Sequence, residues 1–250
     1  IGSENTAPNA PTNFTATASS TSQIILTWTL PSNNNADGFE LERSTDGVNF
    51  TRINYLSKNT NTYISKGLKA NTTYTYRIKA YNSVGVSSTL VSSAKTFGPS
   101  LGNGTGLTGQ YYDTSDFRDL KLTRTDSTIN FSWPSGISPD TSMGTDTYSV
   151  RWTGQIQPLY SEEYVFYTET DDGVRLWVDN KLLIDDWSEG VKSRSARIEL
   201  KEGVKYNIKC EVYNKTMGGK AVLYWSSANQ EKKIVPTSQL FPATDAPVVY

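Results

Sequence analysis

The chain has 250 residues, with 24 Lys and Arg against 25 Asp and Glu. This length suits one large domain or two ordinary ones, and the balanced charge leaves no basic field to gather nucleic acid or anionic lipid. The absence of histidine excludes Ser-His-Asp and Cys-His catalysis and zinc sites built on imidazole. Cys210 is the only cysteine, which excludes an internal disulfide and predicts a small core residue. No apolar run reaches the roughly 18 residues of a membrane helix, so we expect no membrane insertion.

Both ends of the sequence are typical of linkers. The first residues, IGSENTAPNAPTNF, and the tail over residues 243–250, ATDAPVVY, have no strand pattern. We therefore expect a piece of a larger modular protein, covalently linked to neighbouring domains. The Ser-, Thr- and Asn-rich composition without disulfides favours a bacterial protein that is secreted or on the cell surface, and hence extracellular.

Residues 1–97 are predicted to form a first β domain. Short alternating runs are separated by Asn, Asp, Gly and Pro, and QIILTWTL at residues 23–30 places Ile24, Leu26 and Trp28 on one face. The segment resembles a fibronectin type III domain, which implies a seven-stranded sandwich that serves as a spacer, with Tyr74 as the tyrosine corner. The residues that carry this resemblance are Pro11, Trp28, Leu68, Tyr74, Tyr76, Ile78, Ala80, Asn82, Gly85 and Ser87.

The stretch FGPSLGNGTG at residues 97–106 contains four glycines and a proline and has no strand pattern. Such composition is typical of a domain boundary. We predict a Gly-rich linker over residues 98–106.

Residues 107–242 are predicted to form a second, larger all-β domain. Within it, Asp179 and Asn180 separate two alternating runs, RLWV and KLLI, and predict a tight hairpin. Trp152 and Trp225 are expected in the core. The residues of this segment that carry a family resemblance are Gly106, Leu107, Gly109, Tyr111, Tyr112, Arg151, Trp152, Gly154, Asp171, Asp172, Gly173, Leu176, Val178, Asp179, Leu223 and Trp225.

These residues, in this order, resemble the sequence motifs of the PA14 family, which is named for the N-terminal part of anthrax protective antigen. The resemblance implies an antiparallel sandwich of two sheets. The module occurs in toxins, yeast flocculins and bacterial adhesins, and as inserts in glycosidases.

Asp171 and Asp172 are the candidate metal ligands. Neighbouring side chains of an extended strand point to opposite faces, whereas a cis peptide can turn both the same way. In the lectin members of the family, the matching pair has a cis peptide and binds calcium, and a second loop adds oxygen ligands. Here that loop is YNKTMGGKAV at residues 213–222. The resemblance implies Asn214 as a metal ligand, and it implies ligand binding through Asp171, Asp172, Asn214, Lys215, Thr216, Met217 and Gly218.

Two alternatives apply to the acid pairs. Asp171 or Asp172 caps a turn by accepting backbone amides, with no metal involved. The other pair, Asp185 and Asp186, follows an apolar run and is expected at the solvated end of a strand. Tyr112 and Trp187 are the candidates for an aromatic ring that stacks on a sugar at the rim.

Catalysis is not expected, because adjacent acids on one strand do not flank a glycosidic bond from two sides. The sequence favours a non-catalytic, calcium-dependent carbohydrate-binding module: a lectin, an adhesin or a polysaccharide-targeting part. The expected partner is a glycan or polysaccharide. The alternative is a metal-free structural or protein-interaction module that spaces other domains. The melting temperature, measured with excess calcium and then with chelator, distinguishes the calcium-dependent module from the metal-free one.

Overall fold

The computed structural model describes residues 6–32, 34–216 and 218–244. It divides into two units, of which the first ends at Pro99 and the second begins at Ser100. Both are built from antiparallel strands, so the predicted all-β class is confirmed. Within the described ranges, the structure has no helix of the length and apolarity that a membrane crossing requires.

The first unit is a sandwich of two sheets with strand orders β1-β2-β5 and β4-β3-β6-β7. Ile24, Leu26 and Trp28 share the buried face of β2, as their alternation predicts. The Tyr74 hydroxyl accepts a hydrogen bond from the Lys69 amide at 2.9 Å, which confirms the predicted tyrosine corner. The strands are β1 (Thr12–Ala18), β2 (Ile24–Thr29), β3 (Gly38–Ser44), β4 (Thr51–Ser57), β5 (Thr62–Ser65), β6 (Thr73–Tyr81) and β7 (Leu90–Lys95).

Asp46 organises the loop between β3 and β4. Its carboxylate accepts hydrogen bonds from the Ser44 hydroxyl at 2.7 Å, the Val48 amide at 2.8 Å and the Asn49 amide at 2.7 Å. The Asn49 side-chain amide donates a further bond at 2.7 Å. These donors, the Asn49 and Ser44 side chains first, hold the pKa of Asp46 well below its ordinary value.

We expect Asp46→Asn to lower the melting temperature of the first unit at neutral pH. Because the folded-state pKa is depressed, the carboxylate stabilises the fold above the ordinary Asp pKa, and this contribution is lost as pH falls through the folded-state value. The measurement is calorimetric melting of the whole chain at neutral pH and through an acid series that extends as far below the ordinary Asp pKa as the fold survives. The difference between variant and wild type should narrow progressively below that ordinary value, and a difference that does not vary with pH would contradict the assignment.

The second unit is a larger sandwich. One sheet has the order β14-β13-β16-β11-β8-β9, with β19 paired to β11. The other has the order β10-β17-β12-β15, with β18 paired to β17. The elements are β8 (Leu107–Tyr112), β9 (Leu120–Asp126), β10 (Asn130–Trp133), β11 (Tyr148–Ile156), β12 (Glu162–Asp171), β13 (Val174–Val178), β14 (Lys181–Asp186), β15 (Lys192–Leu200), β16 (Tyr206–Asn214), β17 (Gly219–Ser227), β18 (Gln230–Ile234), a 3-10 turn (Thr237–Gln239) and β19 (Leu240–Pro242).

The core lies between the inner faces of these two sheets. Trp152 and Trp225 are fully buried and Cys210 is 2% exposed, so all three core predictions are confirmed. Asp179 and Asn180 have φ angles of 53° and 58°, the left-handed pair of a tight hairpin turn, which confirms the predicted hairpin between β13 and β14.

The segment predicted as a linker over residues 98–106 is shorter in the structure. From Ser100 onward it belongs to the second unit, where the Gly104 amide donates to Ser238 O at 2.9 Å and the Gly106 amide to Leu240 O at 3.0 Å. A methyl group at Gly104 would overlap Leu240 O. The glycines therefore allow close packing against β19 here, which composition alone does not distinguish from a free linker.

Asp126 is a buried hydrogen-bonding centre at the end of β9, 6% exposed. Its carboxylate accepts from Trp152 Nε1 at 2.7 Å, from Arg124 Nε at 2.7 Å and from the Tyr111 hydroxyl. Burial, and then the hydrogen bond to Asp126, raise the pKa of Tyr111. A methyl group at Gly109 would overlap this carboxylate. The Gly-x-Tyr motif and the tryptophan of the Arg-Trp motif therefore meet at one buried acid.

Candidate functional site

The site begins where β12 ends. Asp171 is the last residue of β12, and the peptide bond between Asp171 and Asp172 is cis, as the family resemblance implied. The Asp172 amide donates to Tyr213 O at 3.0 Å, and the Tyr213 amide donates to Gly173 O at 3.2 Å. A methyl group at Gly173 would overlap the Tyr213 ring. The acid pair is thus fixed to the end of β16.

The Asp172 carboxylate joins two loops. Oδ1 accepts from the Gly190 amide at 2.5 Å, and Oδ2 accepts from the Lys215 amide at 3.0 Å. Asp172 is 7% exposed. Asp172 therefore accepts backbone amides, as the turn-capping alternative predicts. Each carboxylate oxygen retains lone-pair capacity, so capping leaves room for a cation ligand.

Asp171 is half-buried beside this carboxylate. Burial first, and then the charge of Asp172, raise the pKa of Asp171. Among the described residues, the neighbouring lysines pair with other acids: Lys192 with Asp186 at 3.4 Å, Lys215 with Glu189 at 2.5 Å and Lys220 with Glu169 at 2.9 Å. The two adjacent carboxylates are therefore left without a direct ion pair in this part of the chain.

Asn214 lies behind the acid pair at the end of β16, 1% exposed. Its Nδ2 donates to Asp146 O at 2.7 Å, which orients the amide group. The Lys215 carbonyl accepts from the Thr147 hydroxyl at 2.9 Å. Two polar contacts with residues 146 and 147 thus hold the start of the predicted ligand loop.

The remaining predicted ligand residues divide into three groups. Thr216 and Gly218 line an open pocket together with Asp171 and Asp172. Met217 lies outside the described residues. Lys215 reaches the site through its backbone amide, while its ammonium pairs with Glu189.

The pocket has a volume of about 670 Å³. The sequence did not predict the lining residues from β10 and from the loop after β14, because these segments approach the pocket only through contacts between distant parts of the chain. Val191 is an apolar lining residue that is 80% exposed. The lining consists of Ser132, Trp133, Asp171, Asp172, Glu189, Gly190, Val191, Thr216, Gly218, Gly219 and Lys220.

Tyr148 supports the pocket from the protein interior. It is 1% exposed, and its hydroxyl has no hydrogen-bond partner within the described residues. Burial, and then the charges of Asp171 and Asp172, raise its pKa. A methyl group at Gly219 would overlap this hydroxyl. The glycine at the start of β17 therefore makes room for Tyr148 behind the acid pair.

The two predicted rim aromatics do not line the pocket. Tyr112 is 7% exposed and packs edge-on against Phe117 at 5.7 Å. Trp187 stacks on Phe117 at 5.9 Å and contacts Tyr213 at 4.7 Å. Both rings pack against other aromatic rings, so the prediction of a sugar-stacking role for either is wrong for this pocket.

The second acid pair lies at the end of β14, as expected. Asp186 pairs with Lys192 at 3.4 Å and Arg194 at 2.5 Å, and Asp185 is exposed and pairs with Arg175 at 3.0 Å. The Asp186 carboxylate is neutralised by cations, which distinguishes it from the Asp171 and Asp172 pair.

The donor atoms at the first pair suit a hard cation. Calcium takes oxygen ligands and favours carboxylates. The described residues include no cluster of three or more His, Cys, Asp or Glu side chains arranged around one point. A cation here would therefore need the two carboxylates, the Asn214 amide oxygen and backbone carbonyls, a set that fits calcium and not a soft metal.

The two sandwiches define a pair of domains. The family description "PA14 domain" matches residues 103–239, and "Fibronectin type III domain" matches residues 9–94. The chain therefore belongs to the PA14 domain family and carries a fibronectin type III domain before the PA14 domain.

Several known proteins are similar to this chain. The anti-sigma-I factor RsgI3 of Acetivibrio thermocellus is 52% identical over 148 residues, which are 59% of this chain and 23% of that protein. The protective antigen of Bacillus anthracis is 27% identical over 139 residues, which are 54% of this chain and 18% of that protein. An anti-sigma factor domain-containing protein from Clostridium clariflavum has a solved structure with a TM-score of 0.55 at 23% identity, and the match covers 94% of this chain and 92% of that one. The chain thus spans less than a quarter of either of the two relatives compared by sequence.

Proposed function

We propose that the second unit is a non-catalytic, calcium-dependent carbohydrate-binding module and that the first unit is a spacer. The observation that carries this proposal is the placement of two adjacent carboxylates, without a direct ion pair in the described chain, at an open pocket. Each of the neighbouring lysines pairs with another acid. The pocket is therefore suited to a cation that also contacts a ligand.

In this proposal, Asp171, Asp172 and Asn214 hold the cation, with backbone carbonyls of residues 215–218. Bound calcium supplies open coordination positions for two neighbouring sugar hydroxyls. Asp172 is kept in place by the Gly190 and Lys215 amides. The carboxylate oxygens accept hydrogen bonds from the sugar hydroxyls, and Val191 presents an apolar surface at the rim.

The same geometry argues against hydrolysis. Asp171 and Asp172 are adjacent in the chain and both line the pocket. A glycosidase places its two acids on opposite sides of the scissile bond. Glu162, at the start of β12, accepts hydrogen bonds from Asn229 and does not line the pocket. We therefore assign binding and no reaction to this site.

A second candidate concerns the protein in which the module works. The 52% identity to an anti-sigma-I factor favours a bacterial regulatory protein over an adhesin. We infer that the module forms the glycan-sensing, extracellular part of such a protein and is covalently joined to its other domains. Fusion of residues 1–250 to a reporter-coupled anti-sigma factor tests this placement, because the reporter should respond to added glycan.

The calcium proposal predicts a change in thermal stability. A ligand at 100 times its dissociation constant adds about 2.7 kcal/mol to the free energy of unfolding, which corresponds to roughly 5–10 °C for a unit of this size. Melting is followed by Trp fluorescence, since five of the six tryptophans lie in the second unit. Excess calcium should raise the melting temperature and chelator should reverse the rise. An unchanged melting curve would favour the metal-free structural module.

A further inference from the structure

Two residues that line the pocket, Asp171 and Lys220, also belong to the outer face of the β10-β17-β12-β15 sheet. Strands β12 and β17 pair so that Asp171 lies opposite Lys220 and Tyr167 lies opposite Tyr224. Alternate residues of a strand share a face, so Tyr167 and Asp171 lie on the same outer face, about 13 Å apart along the strand. We call this surface the outer track; it comprises Tyr167, Glu169, Asp171, Lys220, Tyr224 and Lys232.

Glu169 connects the pocket to the tyrosines. Its carboxylate accepts from Lys220 Nζ at 2.9 Å, from the Tyr224 hydroxyl at 3.3 Å and from Lys232 Nζ at 3.4 Å. Lys220 also lines the pocket. Lys220 therefore links the wall of the pocket to Glu169, and Glu169 links it to Tyr224.

The tyrosines form the far end of the outer track. Tyr167 and Tyr224 are half-exposed cross-strand partners, and the Lys232 ammonium lies 4.7 Å and 4.4 Å from their ring centres. The Tyr167 hydroxyl hydrogen bonds to the Ser226 hydroxyl at 3.0 Å. Exposed ion pairs of the kind that Lys220 and Lys232 make contribute only about 0–1 kcal/mol to stability. The arrangement is thus not required to hold the sheet together.

The chemistry of the outer track matches a hydroxyl-rich chain. Half-exposed tyrosines offer an apolar ring and a hydroxyl, a carboxylate accepts hydroxyl protons, and ammonium groups donate. The outer track has two carboxylates, Glu169 and Asp171, and two ammonium groups, Lys220 and Lys232, so its formal charge is zero and it requires no strongly charged ligand. Its length exceeds what one sugar ring can cover.

We propose that the pocket and the outer track form one binding surface for an extended glycan, so that the ligand is an interior segment of a polysaccharide and not a single terminal sugar. This inference rests on the proposed function. The polysaccharide lies over the acid pair, follows β12 and β17, and packs on Tyr167 and Tyr224.

The test is binding to immobilised xylan, mannan, β-glucan and galactan, each as monosaccharide, as size-graded fragments and as polymer. Wild type should bind longer fragments more tightly. Tyr167→Ala and Tyr224→Ala should each weaken binding of long fragments by about tenfold, a factor typical of an exposed aromatic contact. Binding of the shortest fragments and the calcium-dependent melting shift should be unchanged.

Tyr55→Ala is the matched control. Tyr55 is 52% exposed in the first unit, and its ring also carries a cation, Arg52, at 4.5 Å. Binding that is independent of chain length, or track variants that match Tyr55→Ala, would overturn this inference while leaving the calcium proposal intact. A wild-type chain that shows no calcium shift and binds none of the sugars would overturn both. A pull-down of protein in place of glycan that requires Tyr167 and Tyr224 would assign the outer track to a protein partner.

Discussion

Asp171→Asn is expected to abolish the calcium-dependent rise in melting temperature and to leave folding in chelator intact or improved. The substitution keeps the shape of the side chain and removes one of two adjacent negative charges. Asp172 holds the loops through its own hydrogen bonds to the Gly190 and Lys215 amides, and these remain. Binding and folding are therefore separable at Asp171.

The expected loss of affinity is large. Removing one carboxylate charge beside a divalent cation costs about 3 kcal/mol or more, which lowers the affinity by at least about a hundredfold. Calcium titration by calorimetry measures the affinity for calcium. Melting in chelator, recorded in parallel, measures the stability of the metal-free fold. Glycan binding should disappear with calcium binding.

Two further variants make the experiment specific. Asp185→Asn changes an acid of the other Asp–Asp pair, exposed at the end of β14, and should leave calcium binding unchanged. Asp172→Ala should also abolish glycan binding, but it removes two backbone anchors and should lower stability in chelator as well. If Asp171→Asn retained the full calcium shift, the cation site would lie elsewhere.

Asp126→Ala is expected to destabilise the second unit by about 3–5 kcal/mol, the range for removing one partner of a buried charged network. Three donors lose their acceptor: Trp152 Nε1, the Tyr111 hydroxyl and Arg124 Nε. Trp152 is fully buried, so water cannot replace the lost bond without opening the core. The predicted decrease in melting temperature is roughly 6–20 °C.

Trp fluorescence during urea unfolding measures this loss in the second unit. Asp126→Asn keeps the shape and one acceptor oxygen, and it should lose less than the alanine variant. Asp185→Ala, at an exposed acid, should change stability by no more than about 1 kcal/mol. A loss below about 1 kcal/mol for Asp126→Ala would show that the carboxylate is not a structural centre.

These two acids also show how far sequence reasoning reaches. Asp171 was identified because it stands next to Asp172 and Gly173 in a block that resembles a known family. Asp126 was not singled out, since its role depends on Trp152 and Tyr111, which approach it through the pairing of β8 with β9 and β11. Nothing near Asp126 in the sequence indicates those partners.

The residues around the pocket also differ in how well the sequence predicted them. Asp171, Asp172, Thr216 and Gly218 were predicted and do line it. Trp187 was predicted as a rim aromatic, but it packs between Phe117 and Tyr213. A tryptophan in a loop has the same local pattern in either role, so only its neighbours in space decide between them.

The amino-acid sequence is sufficient to predict the all-β class, the order of the two domains, the hairpin at Asp179 and Asn180 and the pair of adjacent acids Asp171 and Asp172. These follow from alternation, turn-forming residues and short motifs, which are properties of neighbouring residues. Only the tertiary structure shows that the loop at residues 189–191 and strand β10 complete the pocket and that Tyr167 lies opposite Tyr224. Contacts between distant segments depend on strand register and sheet order, which no local stretch of sequence specifies.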